Sequence, residues 1–261
     1  MRPTLKQITS ADNVQYKQLK KLADNPRERR KRGETLLDGV HLLQALADAG
    51  GGVELLILRH GSGDDREIQA CLRRFADTPS IELSAALFDA LSPVETPVGI
   101  LALYNIPRHD ERSPICAVLL ENIQDPGNLG GLLRTAAAAG VDAVYLSKGC
   151  SEAWSPKALR AAMGAHFVLA IHEQQDLPAL CTTLPRVIAT RLNAPQSLYE
   201  LDLRGPLALL FGNEGAGLSE ELAACATQHV RIPLPGKMES LNVAAAAAVC
   251  LFERVRQITL I

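Results

Sequence analysis

The chain has 261 residues, 47% hydrophobic and 21% charged, with a net charge of −2. That is enough for one large domain or two smaller ones and too balanced for a disordered or fibrous protein. No apolar run approaches about 18 residues, which excludes a predicted membrane span. The six cysteines show no C-x-x-C or His-clustered spacing, so zinc modules and disulfide frameworks are also excluded. With no signal peptide legible, the expectation is a cytoplasmic protein with reduced thiols.

The charge is unevenly spread. Residues 1–34 carry ten Lys/Arg against four Asp/Glu, a local +6 in a chain that is otherwise acidic. Such an excess is the usual footprint of phosphate binding, with a solvated helical face as the alternative. Residues 10–32 read as a basic helix followed by a charged turn containing Arg29, Arg30 and Lys31. A short strand is expected at 34–39, a glycine-closed helix at 40–50 and a buried strand at 53–61. An amphipathic helix over 64–77 has acidic residues in its first turn, as the helix dipole favours. A strand at 81–84, a short helix and a strand at 97–106 complete the first β/α alternation. The polar stretch IPRHDERSP (106–114), with prolines at both ends, is the best linker, and places a domain boundary near residue 110. The two domains are thus expected over 1–108 and 109–261.

Beyond the linker the alternation resumes, with strands predicted at 116–123, 142–147, 166–171, 186–192, 206–212 and 229–234. One intervening helix should open at Ser155-Pro156, with Ser as cap and Pro in the first helical position. Strands separated by helices predict an α/β fold with a mostly parallel sheet covered on both faces. Physics alone would add that the chain is unknotted.

Familiar chemical signatures are missing. The turns QDPGNLGG and GNEGAG lack the G-x-G-x-x-G spacing of a dinucleotide site, and PGKMES lacks the Ser or Thr of a phosphate-cradling loop. No metal-ligand spacing occurs among the six histidines. Polar residues instead gather in three strand–loop–helix turns. The first, in AVLLENIQDPGNLGGLLRTAAAAG (117–140), carries Asn128 as candidate helix cap and Arg134 about 1.7 helical turns further on. The second, FGNEGAGLSEEL (211–222), places Glu214 just after Gly212, among glycines that let backbone amides approach a ligand. In the third, VRIPLPGKMESLNVAAAAAV (230–249), Ser240 and Asn242 open a helix. Singly, Arg134 also reads as a surface ion pair, Asn128 and Ser240 as caps, and Glu214 as a turn residue. Together they point to a nucleotide-like ligand at the carboxyl edge of a sheet.

NIQDPGNLGGLLRTAAAAG, LLFGNEGAGLS and RIPLPGKMESLNVAAAAAV closely resemble the three motifs of the SpoU (TrmH-like) RNA 2′-O-ribose methyltransferases. SPKALRAAMGAHF (155–167) resembles the segment these enzymes carry between the first and second motifs. The resemblance covers residues from about 115 to the C-terminus. Residues 1–105 resemble, more weakly, the L30e-like substrate-binding domain that often precedes it, through Asn13 and Lys17, TLLDGVHLL and TPVGILAL. The resemblance implies a C-terminal parallel sheet tied in a trefoil knot, overruling the unknotted default, after a smaller α/β domain. It also implies S-adenosylmethionine as cofactor, RNA as partner and a homodimer. Cofactor contacts would come from Gly212, Ile232 and Leu241, with Thr190 from the preceding loop. Arg134 matches the family's catalytic arginine; Asn128 and Glu214 would orient it or the cofactor, and Ser240 and Asn242 would hold the target phosphate and the cofactor loop. Arg160 would touch phosphate, and Arg29, Arg30 and Lys31 would dock RNA.

Two departures are mild: Asp38-Gly39 stands where the family often has Glu-Gly, and Leu234 where Met is usual. The appended domain favours ribosomal RNA over transfer RNA as substrate. An RNA-binding protein that kept the fold and lost catalysis is the rival from another class, opposed by the intact Arg134, Glu214, Ser240 and Asn242. An oxidoreductase fails on the missing glycine fingerprint.

Overall fold

The computed structural model describes residues 6–109 and 113–259. It divides into two units: Met1–Arg108 with Trp154–Phe167, and His109–Ala153 with Val168–Ile261. The centre of the expected linker, 110–112, lies outside the described residues.

Unit 1 begins with β1 (Lys6–Ile8), which the sequence reading missed, and α1 (Val14–Asp24). Asn13 caps α1, its side chain accepting from the Gln15 and Tyr16 amides at 2.9 and 3.2 Å. The expected charged turn is instead a second helix, α2 (Pro26–Arg32). Asn25 caps it, Pro26 occupies its first position, and Gly33 ends it in the left-handed region at φ 66°. There follow β2 (Glu34–Asp38), α3 (Val40–Asp48), β3 (Leu55–Arg59), α4 (Arg66–Arg74), β4 (Ser80–Leu83), α5 (Ala85–Asp89) and β5 (Ile100–Asn105). The sheet order is β1-β4-β3-β5-β2. Strand β5 runs antiparallel to both neighbours, so this sheet is mixed. Tyr16, Leu19 and Leu22 of α1 pack with Ile57, Ile81 and Phe88 in its core.

Unit 2 is built on β6 (Cys116–Leu120), α6 (Pro126–Ala138), β7 (Ala143–Ser147), β8 (Ala170–Gln175), α8 (Leu177–Cys181), β9 (Val187–Thr190), β10 (Gln196–Ser197), β11 (Leu207–Phe211), α9 (Glu220–Ala224), β12 (Gln228–Arg231) and α10 (Val243–Thr259). Between β7 and β8, α7 (Pro156–Ala162) belongs to unit 1. There the Thr35 hydroxyl donates to the Trp154 carbonyl at 2.9 Å, and Tyr104 lies 5.6 Å from the Phe167 ring. The strand expected at 166–171 therefore starts later, at Ala170. Residues Ala165–Phe167 form one turn of 3-10 helix with His166 buried, behind a chain reversal at Met163 and Gly164, φ 50° and 92°.

The seven strands of unit 2 are ordered β10-β12-β9-β11-β6-β7-β8 and all pair in parallel. CAVLL and LALLF are buried at every position, as central strands covered on both faces must be. From β6 the chain moves outward to β7 and β8, then returns to the other side through β9, β11 and β12. The order reverses between β6 and β11, paired in register from Leu207↔Cys116 to Phe211↔Leu120. A crevice at the carboxyl ends of strands where the order reverses is where open α/β sheets bind ligands.

Candidate active site

The β6–β11 pairing sets the first two motif turns side by side. After β6 the chain continues through Glu121 and Asn122 into α6. Its cap is Asp125, not the expected Asn128: the Asp125 carboxylate accepts from the Asn128 amide at 2.8 Å, and Pro126 follows in the first helical position. This frees the Asn128 side chain. The exit is as expected, with Gly140 left-handed at φ 71°.

After β11 the chain makes a closed turn in which Asn213 and Gly217 exchange backbone hydrogen bonds at 3.0 and 2.9 Å. The Asn213 side chain fills it, its oxygen accepting from the Gly215 and Ala216 amides at 2.9 and 3.0 Å. Its nitrogen donates to the Asn122 carbonyl at 2.9 Å, bolting the second turn to the first. Glu121 adds another bolt: its two carboxylate oxygens accept from the Ser219 amide and hydroxyl, each at 2.7 Å. A Cβ on Gly212 would sit 2.2 Å from the Gly217 carbonyl carbon, so only glycine fits there.

The third motif joins through helix packing. Asn242, not Ser240, caps α10, its side-chain oxygen accepting from the Ala244 and Ala245 amides at 2.9 and 3.4 Å. The alanines of α10 lie against α6, where a Cβ on Gly131 would be 3.6 Å from the Ala244 Cβ. Asn242 thereby reaches Asn128, donating to its side-chain oxygen at 3.0 Å, and Asn128 donates to Glu214 at 3.0 Å. The direction of this relay is determined by its ends. A carboxylate only accepts, so Asn128 must present its amide nitrogen to Glu214 and its oxygen to Asn242. The Asn242 oxygen then remains for the α10 amides, and each side-chain amide has one consistent orientation.

Beside this relay lies a cavity of about 380 Å³, a usual size for a small-molecule site. Thr190, Gly212, Glu214, Ile232, Ser240 and Leu241 all line it, with Phe211, Val230 and Val243 adding apolar wall. The Thr190 hydroxyl donates to the Leu210 carbonyl at 2.9 Å, which leaves it an acceptor toward a ligand. Arg134 is exposed on α6 and forms no hydrogen bond or ion pair among the described residues. On the helix it falls three residues beyond Gly131, and Asn128 three before, so the two flank the line of α10 contact.

The predicted RNA-docking residues divide. Arg30 and Lys31 are exposed on α2, but Arg29 is buried, 4% exposed, and donates to the Leu22 and Ala23 carbonyls at 2.5 and 3.0 Å. It satisfies backbone acceptors at the end of α1 and is withdrawn from docking. The N-terminal excess is further reduced by ion pairs: Lys17 with Asp12, Lys20 with Asp24 and Arg32 with Glu34. Arg160 is exposed on α7 in unit 1. Asp125, Glu121, Asn122 and Asn213 were not singled out in the sequence. Asn122 is left-handed at φ 55°, and a Cβ on Gly149 would strike its side-chain oxygen at 1.8 Å, so a larger residue there would force the Asn122 side chain to swing away.

Fold and site define a protein with a parallel α/β sheet and a cavity of small-molecule size where three strand–helix turns meet. The chain belongs to the SpoU rRNA Methylase family, whose model matches residues 116–252, and an MRM3-like substrate binding domain matches residues 13–102. It is 33% identical to the 23S rRNA (guanosine(2553)-2′-O)-methyltransferase RlmP of Bacillus subtilis, over 95% of this chain and 98% of that protein. An uncharacterized tRNA/rRNA methyltransferase of Synechocystis is 35% identical over 96% and 93%. The crystal structure of the SpoU methyltransferase AviRb from Streptomyces viridochromogenes in complex with the cofactor AdoMet superposes with a TM-score of 0.82 at 26% identity, covering 95% of this chain and 100% of that one.

Proposed function

We propose that the protein is an S-adenosylmethionine-dependent methyltransferase of a ribose 2′-hydroxyl in ribosomal RNA. The observation that carries this is the relay from Asn242 through Asn128 to Glu214, which ties all three motif turns to the rim of one apolar cavity. The cavity suits the cofactor: adenine needs apolar walls and backbone polar groups, which Ile232, Leu241 and the Gly212 turn provide, and the Glu214 carboxylate suits a cationic ligand. Bound S-adenosylmethionine supplies an electrophilic methyl group.

The protein's own residues position and polarise. A guanidinium does not give up its proton near neutral pH, so Arg134 acts as a fixed cation that stabilises negative charge developing on the 2′-oxygen. Water or a phosphate oxygen takes the proton. Asn128 and Glu214 hold the α6 and β11 turns in register, and the exposed Ser240 contacts the target phosphate. Residues 1–108 serve as the substrate domain and 109–261 as the catalytic one, with RNA docking on Arg30 and Lys31. The chain after β12 must return past β9 and β11 to bring α10 onto α6, which supports a trefoil knot in this segment. A homodimer is part of the same reading; the exposed Phe252 and Ile258 of α10 offer it an apolar face. No described helix is long and apolar enough to cross a membrane. A cytoplasmic location belongs to the same proposal, because ribosomal RNA is its substrate.

The test is methyl transfer from labelled S-adenosylmethionine to ribosomal RNA. Label on ribose with the wild type, reduced about a hundredfold to a thousandfold in Arg134→Ala at unchanged cofactor affinity, supports the reading. Tight RNA binding with no transfer to any RNA would replace it with a binding protein of the same fold.

A further inference from the structure

Unit 1 contains a cavity of about 620 Å³ that the methyl-transfer chemistry does not use. Buried Leu36 and Leu42 contribute to its wall, and Val98 and Met163, 53% and 51% exposed, form an apolar lip. Asp38 enters at the end of β2. The Ser92 hydroxyl donates to its Oδ2 at 2.7 Å, and Oδ1 has no partner among the described residues. Burial pushes the Asp38 carboxyl up, opposed by the Ser92 hydrogen bond and by the charge of Arg160. Arg160 stands on the same wall, exposed and without a hydrogen-bond partner among the described residues.

We propose that this cavity takes one unpaired guanine of the RNA substrate, with Asp38 accepting from the base's N1–H and N2 amino groups. The proposal rests on the RNA-methyltransferase reading and deepens it by naming a base. A carboxylate only accepts, and each of its oxygens can take more than one donor, so sharing Oδ2 with Ser92 leaves both available. Guanine alone among the four bases presents two adjacent donors on its pairing edge. Uracil flanks its single N–H with carbonyls that repel a carboxylate, and adenine and cytosine set an acceptor beside the amino group. Glu67 and Glu95, both exposed, add negative charge to the cavity lining, which repels phosphate except where Arg160 offsets it. The base enters and its phosphate stays at the rim, where Arg160 meets it. Reading a splayed-out base on its pairing edge is the usual route to sequence-specific RNA recognition.

The experiment measures affinity of the full chain for uridine heptamers carrying one central guanosine, inosine or adenosine. Wild type binds guanosine roughly tenfold tighter than adenosine, with inosine, which lacks the amino group, in between. Asp38→Asn removes the preference. Val98→Trp, which closes the cavity from an exposed lip without entering the core, removes it as well and guards against a folding defect in the first variant. Equal affinity for the three heptamers, or a guanosine preference that survives both substitutions, overturns the proposal. So does binding of a tri-lysine peptide that depends on Asp38 without any base preference, which would make the cavity a site for a basic polypeptide. Methyl transfer to ribosomal RNA, assayed in parallel, separates the two readings. Transfer without base preference sinks only the guanine site; base preference without transfer sinks only the enzyme.

Discussion

Gly212 shows how little freedom the cofactor turn has. A methyl group there would overlap the Gly217 carbonyl carbon at 2.2 Å, and the atom it meets is backbone, which cannot swing aside. Gly212→Ala should destabilise the fold by roughly 3 kcal/mol or open the turn, and in either case abolish cofactor binding measured by calorimetry. A normal binding isotherm in that variant would mean that the turn is looser than its hydrogen bonds indicate. Asn128 was legible as a residue of interest in two ways, as a helix cap and, through the resemblance, as a positioning residue, and only the first is overturned. Its sequence position suggested a cap; with Asp125 taking that role, its side chain is released to bridge Asn242 and Glu214. Asn128→Asp would place a second carboxylate 3.0 Å from Glu214, so it should weaken the cofactor complex most at neutral pH and regain affinity as pH falls and one carboxyl takes a proton.

Between elements, the bolts matter more than the motifs. Glu121 lies at the carboxyl end of β6 and holds Ser219, 98 residues away in sequence but adjacent through the β6–β11 pairing. Glu121→Ala should raise KM for S-adenosylmethionine several-fold while leaving kcat at saturation near its original value, with partial rescue by Gln, which keeps one acceptor. A fall in kcat alone would place Glu121 in the chemistry instead. At its far end, α10 is latched by Gln257, which accepts from the Leu203 amide at 2.7 Å and donates to the Leu201 carbonyl and to Glu253. Arg256, and then Gln257, hold the Glu253 carboxyl down at about 2, against the opposing effect of burial. A carboxyl held below its unfolded value stabilises fully above the ordinary carboxylate range of about 4.3 and loses that contribution as pH falls toward about 2. The melting temperature of the wild type should therefore fall more steeply than that of Glu253→Gln between about pH 5 and roughly pH 2.5. Parallel curves for the two proteins would remove Glu253 from the acid response.

Across the whole molecule, RNA affinity should fall steeply with salt, but through fewer contacts than the N-terminal charge suggests. Of the basic residues in 1–34, Arg29 is buried and Lys17, Lys20 and Arg32 are ion-paired, so Arg27, Arg30 and Lys31 carry the free positive charge of α2. Reversing those three should weaken RNA binding and lower the magnitude of the slope of log affinity against log salt by roughly 2 to 3, with cofactor affinity unchanged. An unchanged slope would move the docking surface off α2.

The sequence by itself determined most of the elements, though not β1, α2 or the start of β8, and it brought the candidate site residues to three turns. Apolar runs such as CAVLL and LALLF could only be strands covered on both faces, and Pro126, Pro156 and Gly140 marked helix boundaries because their backbone preferences are local. Six of the nine catalytic and cofactor candidates, read from three separated motifs, line one cavity. What only the tertiary structure decided was which side chains were free to act. Burial turned Arg29 from a docking residue into a backbone ligand, the docking of Trp154–Phe167 onto unit 1 displaced a strand, and the β6–β11 pairing made Glu121 and Asn213 into fasteners. Those outcomes depend on neighbours dozens of residues away along the chain, and a hydrogen bond across 86 residues, as between Asn128 and Glu214, leaves no periodicity in the sequence from which it could be read.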